Sequence, residues 1–253
     1  AMLRKTLIMV ACIIAYAITA NAQCPNNEIW YTTSDRGKVE LTPHGRIKVI
    51  SHTYEHGKGV IKCASKITKV GGFCEGDYDV DLWAKENLTN VTLPSSIKYI
   101  GGSAFSGCCN LLSINIPNGV KYIERSAFEH CSSLQSIHIP NSVLEISWDA
   151  FSGCTSLKSV NMSNGIKYIG MYAFAFCHNL TSITIPNSVL EIDGDAFCSC
   201  TNLTTIRILA TTPPTITDLG IDENTVIYVP KKSVELYKNN KDWQIYKERI
   251  KPM

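Results

Sequence analysis

The sequence has almost no net charge and, beyond its amino terminus, no long hydrophobic run. Its 253 residues include 24 lysines and arginines against 22 aspartates and glutamates. Arg4 and Lys5 lie in a segment that we expect to be removed, which leaves the mature chain balanced in formal charge. That balance argues against a dedicated binder of nucleic acid or of anionic membranes. No later segment approaches the roughly 18 unbroken apolar residues of a membrane-spanning helix, so we expect no integral membrane segment after cleavage.

Recognisable catalytic motifs are absent as well. The sequence has no metalloprotease helix motif, no phosphate-binding glycine loop and no serine in a nucleophile elbow. His130-Cys131 and Cys177-His178 are the pairs that come nearest to a nucleophilic site. Both cysteines recur at a fixed spacing described below, so their positions are better explained by a repeat. We expect no enzymatic activity, no metal and no cofactor.

The first 22 residues have the features of a secretory signal peptide. Arg4-Lys5 precedes an apolar run from Leu7 to Ile18, and Ala20-Asn21-Ala22 follows as a small-x-small cleavage site. The run is about a dozen residues, too short for a bilayer core of roughly 30 Å, although a retained anchor is the alternative. Gln23 stands where a lipobox needs a small residue. We predict cleavage after Ala22 and export to the medium or the cell surface.

The rest of the chain is dominated by a 23-residue repeat without gaps. Each unit has the form L-x-x-I-x-I-P-N-x-V-x-x-I-x-x-x-A-F-x-x-C-x-x, with small departures. The units begin at Leu88, Leu111, Leu134, Leu157, Leu180 and Leu203. Five are complete, the sixth ends after its first strand, and an earlier degenerate unit contains Ile61, Cys63, Ile67 and Val70.

The spacing within a unit predicts one short strand and then a return to the interior. Ile114 and Ile116, two residues apart, point to one side of a strand, and Pro117 ends that strand. Val120, Ile123 and the Ala-Phe pair then face the interior again. A single unit cannot enclose these residues, whereas stacked units bury them as a continuous core. We therefore predict an α/β-type repeat solenoid with one short parallel strand in each 23-residue rung.

The units LTSITIPNSVLEIDGDAFCSCTN and LQSIHIPNSVLEISWDAFSGCTS resemble the leucine-rich repeats of BspA-type bacterial surface proteins. The resemblance covers residues 61 to 208 and extends to NNEIWYTTSD upstream and to the closing module downstream. It implies an exported protein with a role in adhesion or in binding host components. The predicted organisation is residues 1–22 signal peptide, 23–60 amino-terminal β cap, 61–209 leucine-rich repeat solenoid and 210–253 carboxy-terminal capping module.

The carboxy-terminal cap is predicted to be a strand followed by a helix. Thr225 to Val229 forms the strand, which Pro230 ends, and Ser233 is a candidate helix N-cap. The helix would run to about Ile250. Its apolar face would carry Val234, Leu236, Tyr237, Trp243, Tyr246 and Ile250.

One cysteine recurs in each complete unit, at Cys108, Cys131, Cys154, Cys177 and Cys200. Stacking in register would space these residues by about 4.8 Å along a line. A disulfide needs its Cβ atoms about 3.5–4.5 Å apart, and zinc needs four ligands around one point. We therefore predict a column of buried, unpaired thiols. Outside the column, a Cys63–Cys74 disulfide is a hypothesis for an exported protein.

Outward positions that the repeat leaves free are the candidates for ligand contact. Trp148, Met171 and Tyr172 are expected to be neighbours on adjacent rungs, either as an exposed contact patch or packed beneath a loop. Arg125 and Asp149 would supply a polar rim. The candidate ligand-binding residues are Arg125, Trp148, Asp149, Met171, Tyr172, His138 and Arg207.

Two functions from different classes remain open. The first is a secreted or cell-surface, non-enzymatic binding protein that presents its repeats to a protein or glycan ligand, possibly host-derived. The second is a structural spacer or assembly module with no ligand site on the repeats. A broad ligand screen separates them, because a spacer should bind nothing through its repeats.

Overall fold

The computed structural model describes residues 23–41, 46–71, 79–83 and 86–253. The predicted signal peptide and Cys74 of the hypothetical disulfide lie outside the described residues. In the part of the chain that the structure describes, no helix is long and apolar enough to cross a membrane. In chain order the elements are β1 (Glu28–Thr33), β2 (Glu40–Leu41), β3 (Val49–Glu55), β4 (Lys58–Cys63), β5 (Lys69–Gly71), β6 (Val80–Trp83), β7 (Leu88–Thr92), β8 (Tyr99–Ile100), β9 (Ser113–Ile114), β10 (Tyr122–Ile123), β11 (Ser136–Ile139), β12 (Glu145–Ile146), β13 (Ser159–Met162), β14 (Tyr168–Ile169), β15 (Ser182–Ile185), β16 (Glu191–Ile192), β17 (Thr205–Ile208), β18 (Thr215–Ile216), β19 (Val226–Val229), α1 (Val234–Lys238) and β20 (Ile250–Pro252).

The predicted repeat solenoid is confirmed. The predicted strands of the rungs pair as β7–β9, β11–β13 and β15–β17–β19–β20, three stretches that we together call the first ladder. Pairing is parallel and in register, as in β11 against β13, where Ser136 lies opposite Ser159 and His138 opposite Asn161. The register advances by 23 residues, the period of the sequence, in β7–β9, β11–β13 and β15–β17, whereas β17 pairs with β19 of the cap with Thr205 opposite Val226. Isoleucines of these strands face the core, whereas the intervening residues face outward.

Each rung also contains a second strand, of two residues, that sequence reasoning did not anticipate. These strands pair in parallel from β8 through β10, β12, β14 and β16 to β18. Their second residue, such as Ile123 or Ile146, is buried, and their first residue faces outward. Spacing alone was compatible with a turn here, because two residues are too few to show a strand period.

A third set of hydrogen bonds connects the turns that follow the second ladder. Phe128 N–H donates to the carbonyl of Ala150 at 2.8 Å, and Phe151 N–H donates to that of Ala173 at 2.8 Å. The phenylalanines therefore stack one above another, with ring centroids 5.1 to 5.9 Å apart from Phe105 to Phe197. This stack forms the centre of the solenoid core.

The cysteine column is buried and unpaired, as predicted. The Cys131 thiol donates to the carbonyl of Phe105 at 3.2 Å, and Cys154, Cys177 and Cys200 repeat this bond on later rungs. Burial raises the pKa of Cys131 well above its ordinary value. Cys200, at the end of the column, differs, because its hydrogen bond with Cys177 lowers its pKa. The thiols of the column act as small core residues that satisfy a carbonyl.

The amino-terminal strands form an antiparallel cap. β1 pairs antiparallel with β4 on one side and with β7 on the other. It therefore lies between the strand of the degenerate unit and the first strand of the first complete unit. Ile61 and Cys63 of β4 are buried, and Val70 of β5 pairs in parallel with Ile100. The inserted strand gives the first rung a paired edge, which suppresses edge-to-edge association.

The predicted single helix from Ser233 to about Ile250 is wrong. α1 ends at Lys238, and a 3₁₀ segment, Lys241–Arg249, follows it. Asn240 has an extended backbone, and its side chain accepts a hydrogen bond from Asp242 N–H, which starts the 3₁₀ segment instead of continuing α1. Ser233 makes no side-chain capping bond, and Leu236, expected on the apolar face, is 52% exposed. Tyr237, Trp243 and Tyr246 are buried as predicted.

One polar pair, the buried Tyr31 and the half-buried His52, makes the amino-terminal cap sensitive to pH. Val39 N–H donates to the Tyr31 hydroxyl, whose oxygen lies 2.6 Å from His52 Nε2. When the imidazole is neutral with Nε2 unprotonated, the hydroxyl donates to Nε2, and protonation of Nε2 removes that acceptor. Burial, assisted by the charge of Lys38, lowers the pKa of His52.

We expect the cap to lose stability in mild acid. Because His52 has a lower pKa when folded than when unfolded, its contribution is complete above the unfolded value of about 6.5 and is lost as the pH falls below it. Hydrogen exchange of the β3 and β4 amides should be faster at about pH 5 than at about pH 7.5 after correction for intrinsic rates. The variant His52→Gln should lose that difference; identical pH profiles for variant and parent would contradict the assignment.

Candidate binding site

The structure divides the sequence-predicted site residues between two surfaces. His138 and Arg207 lie on the outward side of the first ladder, which we call the strand face. The other five, Arg125, Trp148, Asp149, Met171 and Tyr172, lie on the turns that follow the second ladder. We call these five residues the turn patch. The assignment of ligand contacts to these residues stays a prediction.

The strand face is flat and poor in charge. His138 and Arg207 are both exposed, and the Arg207 guanidinium lies 5.4 Å from the centre of the Tyr228 ring. Every outward position on the first strands of the six units is a polar uncharged, basic, histidine or leucine residue. The outward residues are Thr89, Asn90, Thr92, Leu112, Ser113, Asn115, Gln135, Ser136, His138, Lys158, Ser159, Asn161, Thr181, Ser182, Thr184, Thr204, Thr205 and Arg207.

The turn patch is assembled by backbone hydrogen bonds between neighbouring rungs. Ser126 N–H donates to the carbonyl of Trp148, and Asp149 N–H donates to that of Met171, at 2.9 and 3.0 Å. Asp149 and Tyr172 have positive φ angles of 55° and 56°, at equivalent positions of their turns. This conformation is uncommon for residues other than glycine, and it repeats with the period of the chain.

Trp148 packs against the next rung and also remains exposed. Its indole lies over Gly170, where an added Cβ would come within 2.8 Å of the indole Cδ1. Its Nε1–H donates to the Tyr168 hydroxyl at 3.2 Å, and that hydroxyl donates to Asp193 Oδ2 at 2.9 Å. Even so, 46% of Trp148 is exposed. Trp148 is therefore not packed beneath a loop: it lies against the next rung and leaves about half of its surface exposed.

Sequence reasoning missed two residues of this surface. Tyr168 gave no signal, because tyrosine there belongs to the K-Y-I sequence of alternate units. Phe176 did carry a signal, since the equivalent position is glycine at Gly107 and Gly153. Phe176 has a φ of 58° and is 46% exposed, in the same turn as Met171 and Tyr172. The positive φ belongs to the repeat, since His130 and Ser199 share it at the equivalent position, so what distinguishes Phe176 is its exposed aromatic ring.

The turn patch has both acidic and basic groups at the edge formed by Arg125 and Asp149. The pKa of Asp149 is raised, chiefly by burial and then by Glu129, while Arg125 and His130 oppose the rise. The pKa of Tyr172 is raised, chiefly by Asp195. Arg125 is exposed and makes no ion pair within the described part of the chain.

The two Cys/His pairs do not form catalytic sites. Cys131 and Cys177 point into the core and donate to carbonyls, whereas His130 is exposed and its imidazole lies over Gly153. His178 makes an edge contact with Phe176 at 6.4 Å between ring centres. Among the described residues, no group of three or more histidine, cysteine, aspartate or glutamate side chains is arranged to hold a metal ion.

Comparison with known proteins places this architecture in a family. Residues 80–211, just over half of the chain, match a model described as the BspA type leucine rich repeat region, in six copies. The chain belongs to the BspA-type leucine-rich repeat family. The resemblance inferred from the repeat units is thereby confirmed. A search of curated proteins found no match.

Solved structures of bacterial leucine-rich repeat proteins are similar to this member of the family. The T. pallidum leucine-rich repeat protein is 26% identical with a TM-score of 0.54, and the match covers 84% of this chain and 98% of that one. A Bacteroides ovatus protein is 22% identical with a TM-score of 0.41, covering 74% and 61%. A Faecalibacterium prausnitzii protein, described as a leucine rich cell surface protein, is 17% identical with a TM-score of 0.32, covering 81% and 86%.

Proposed function

We propose that this BspA-type repeat protein is an exported, non-enzymatic binding protein that docks a protein ligand on the turn patch, in adhesion or host interaction. The observation that supports the proposal most directly is the half-exposed Trp148, which is held in place by Gly170 and Tyr168. A ligand that contacts this indole finds it already ordered, so little side-chain entropy is lost on binding.

The composition of the surface supports a protein ligand over a glycan. Tryptophan, tyrosine, phenylalanine, methionine and arginine are the residues enriched at protein interfaces, and they occur together at Trp148, Tyr172, Phe176, Met171 and Arg125. Phe176 and Met171 have no hydrogen-bonding group to offer to sugar hydroxyls. His138 and Arg207, on the strand face, would then contact only a ligand large enough to reach a second surface.

The test is the variant Trp148→Ala, in which both affinity and stability are measured. For a ligand found by screening host matrix proteins and glycans, we expect binding to weaken by at least about 2 kcal/mol. We expect a smaller change in melting temperature, because the indole is half exposed and lies outside the phenylalanine stack. Calorimetric titration and thermal unfolding of the same preparation provide the two measurements.

A second variant shifts the indole without removing it. In Gly170→Ala the added Cβ would come within 2.8 Å of the indole Cδ1 and equally of the backbone of Ser147 and Trp148, so the ring and the turn that carries it must both move. This variant keeps Trp148 and should weaken binding. Unchanged affinity in both variants would end the proposal and would favour the spacer alternative.

A further inference from the structure

Acidic side chains predominate beside Trp148 on the second ladder and its turns. Glu145 and Glu191 lie on strands that flank Tyr168 in register. Asp193 accepts a hydrogen bond from the Tyr168 hydroxyl. Among the described residues of the four rungs around the indole, lysine and arginine charge on the second ladder and its turns comes from Lys121, Arg125 and Lys167. Within the described residues, none of the nearby carboxylates forms an ion pair. The carboxylates in question are Glu145, Asp149, Glu191, Asp193 and Asp195.

The raised pKa values of two neighbouring tyrosines reflect this surplus of negative charge. The pKa of Tyr168 is raised first by burial, and Asp193 and Glu191 add to the rise. At Tyr172 the charge of Asp195 is the largest cause of a raised pKa. The strand face contrasts with this region, because it carries Lys158 and Arg207 and no carboxylate at its outward positions. Negative charge is thus in excess around Trp148, although the whole chain is nearly neutral.

We propose that the protein segment bound by the turn patch is basic, with a lysine or arginine side chain lying over the face of Trp148. This proposal rests on the function proposed above and specifies its ligand. Tryptophan is the best aromatic partner for a cation. Its indole N–H is already bonded to Tyr168, so what remains available is the face and edge of the ring. The surrounding carboxylates pair with the remaining positive charges of the segment.

The polar groups nearest the indole are bonded to one another, which leaves few of them for the hydroxyls of a glycan. Here the Tyr168 hydroxyl donates a hydrogen bond to Asp193 Oδ2, and the Glu145 carboxylate accepts one from the Ser147 hydroxyl. An acidic segment would meet the unpaired carboxylates directly, and like charges placed together are destabilising. The charge distribution therefore favours a basic segment over both alternatives.

The test uses the mature protein and three labelled ten-residue peptides that share one apolar framework. The first carries four lysines and arginines, the second has glutamine at those four positions, and the third has glutamate there. In fluorescence anisotropy we expect saturable binding of the basic peptide only, and about tenfold weaker binding of it when the salt concentration is raised from about 0.05 M to about 0.5 M. Replacement of Trp148 by alanine should abolish saturation.

Matched charge variants locate the effect. The Glu191 side chain is exposed, and its carboxylate makes no hydrogen bond or ion pair within the described part of the chain. Glu191→Gln therefore removes one negative charge without disturbing the Tyr168–Asp193 pair. We expect this variant to bind the basic peptide about two- to fivefold more weakly. Glu235→Gln removes one charge from an exposed glutamate on α1, remote from the patch in the sequence, and should bind as the parent does.

The outcomes separate this proposal from the one on which it rests. Equal affinity for the basic and glutamine peptides, or equal losses in Glu191→Gln and Glu235→Gln, would overturn the basic-segment proposal. If the binding still depended on Trp148, the turn patch would remain a protein-binding site. Saturable binding of a glycan that Trp148→Ala removes would also overturn the basic-segment proposal. Absence of any Trp148-dependent binding would overturn both.

Discussion

Replacing Phe151 by alanine is expected to lower the free energy of unfolding by about 3–5 kcal/mol. Phe151 is fully buried, and its ring stacks between those of Phe128 and Phe174 at 5.1 and 5.3 Å. Its backbone N–H donates a hydrogen bond to the carbonyl of Ala173, and its carbonyl accepts one from the Cys177 thiol. These bonds hold the backbone in place, so the structure cannot collapse into the cavity.

Phe176→Ala is the matched control, because it removes the same side chain from an exposed position. We expect it to change the unfolding free energy by less than about 0.5 kcal/mol. Urea unfolding measures both variants. Hydrogen exchange should further show lost protection in the rungs that flank Phe151, since each repeat is stabilised mainly by its neighbours. Equal midpoints for the two variants would mean that the inside and outside of the rung are reversed.

Trp243→Ala is expected to lower the unfolding free energy by a similar amount, about 3–5 kcal/mol. Trp243 is fully buried in the carboxy-terminal cap, and its Nε1–H donates to the carbonyl of Pro214 at 2.9 Å. Tyr237 and Tyr246 pack against it at 5.0 and 6.2 Å between ring centres. The substitution leaves both a cavity and an unsatisfied carbonyl.

The loss should begin at the end of the solenoid. β19 and β20 form the edge of the first ladder beneath this cap, so their amides should exchange first. Ile245→Ala is the control from the same segment, because Ile245 is 61% exposed and should contribute less than about 0.5 kcal/mol. A Trp243→Ala protein as stable as the Ile245→Ala protein would show that the cap does not close the solenoid.

The position of Trp148 also bears on why the next rung has a glycine at Gly170. A tryptophan on one rung extends onto the next, and Gly170 leaves room there both for the ring and for the backbone of Ser147 and Trp148, since an added Cβ would come within 2.8 Å of each. At Gly153 an added Cβ would clash with the imidazole of His130 on the preceding rung. These two outward side chains are thus accommodated by the absence of a side chain 22 or 23 residues later.

The sequence alone determined the repeat, the family resemblance and most of the core. The 23-residue period is exact from Leu88 to Leu203, and parallel stacking in register makes every step of the ladder the same step in sequence. Inward residues then recur at fixed positions. Phe151, Cys154 and Ile146 could therefore be assigned to the interior without coordinates.

Tertiary structure decided what depends on contacts between rungs or on local competition. The second ladder consists of two-residue strands, which form because the neighbouring rung supplies their partners. The indole of Trp148 is held by Gly170, Tyr168 and Asp193, which lie on the next two rungs and have no recognisable relation to it in sequence. α1 ends early because the Asn240 side chain competes for a backbone donor, an interaction that apolar spacing does not reveal.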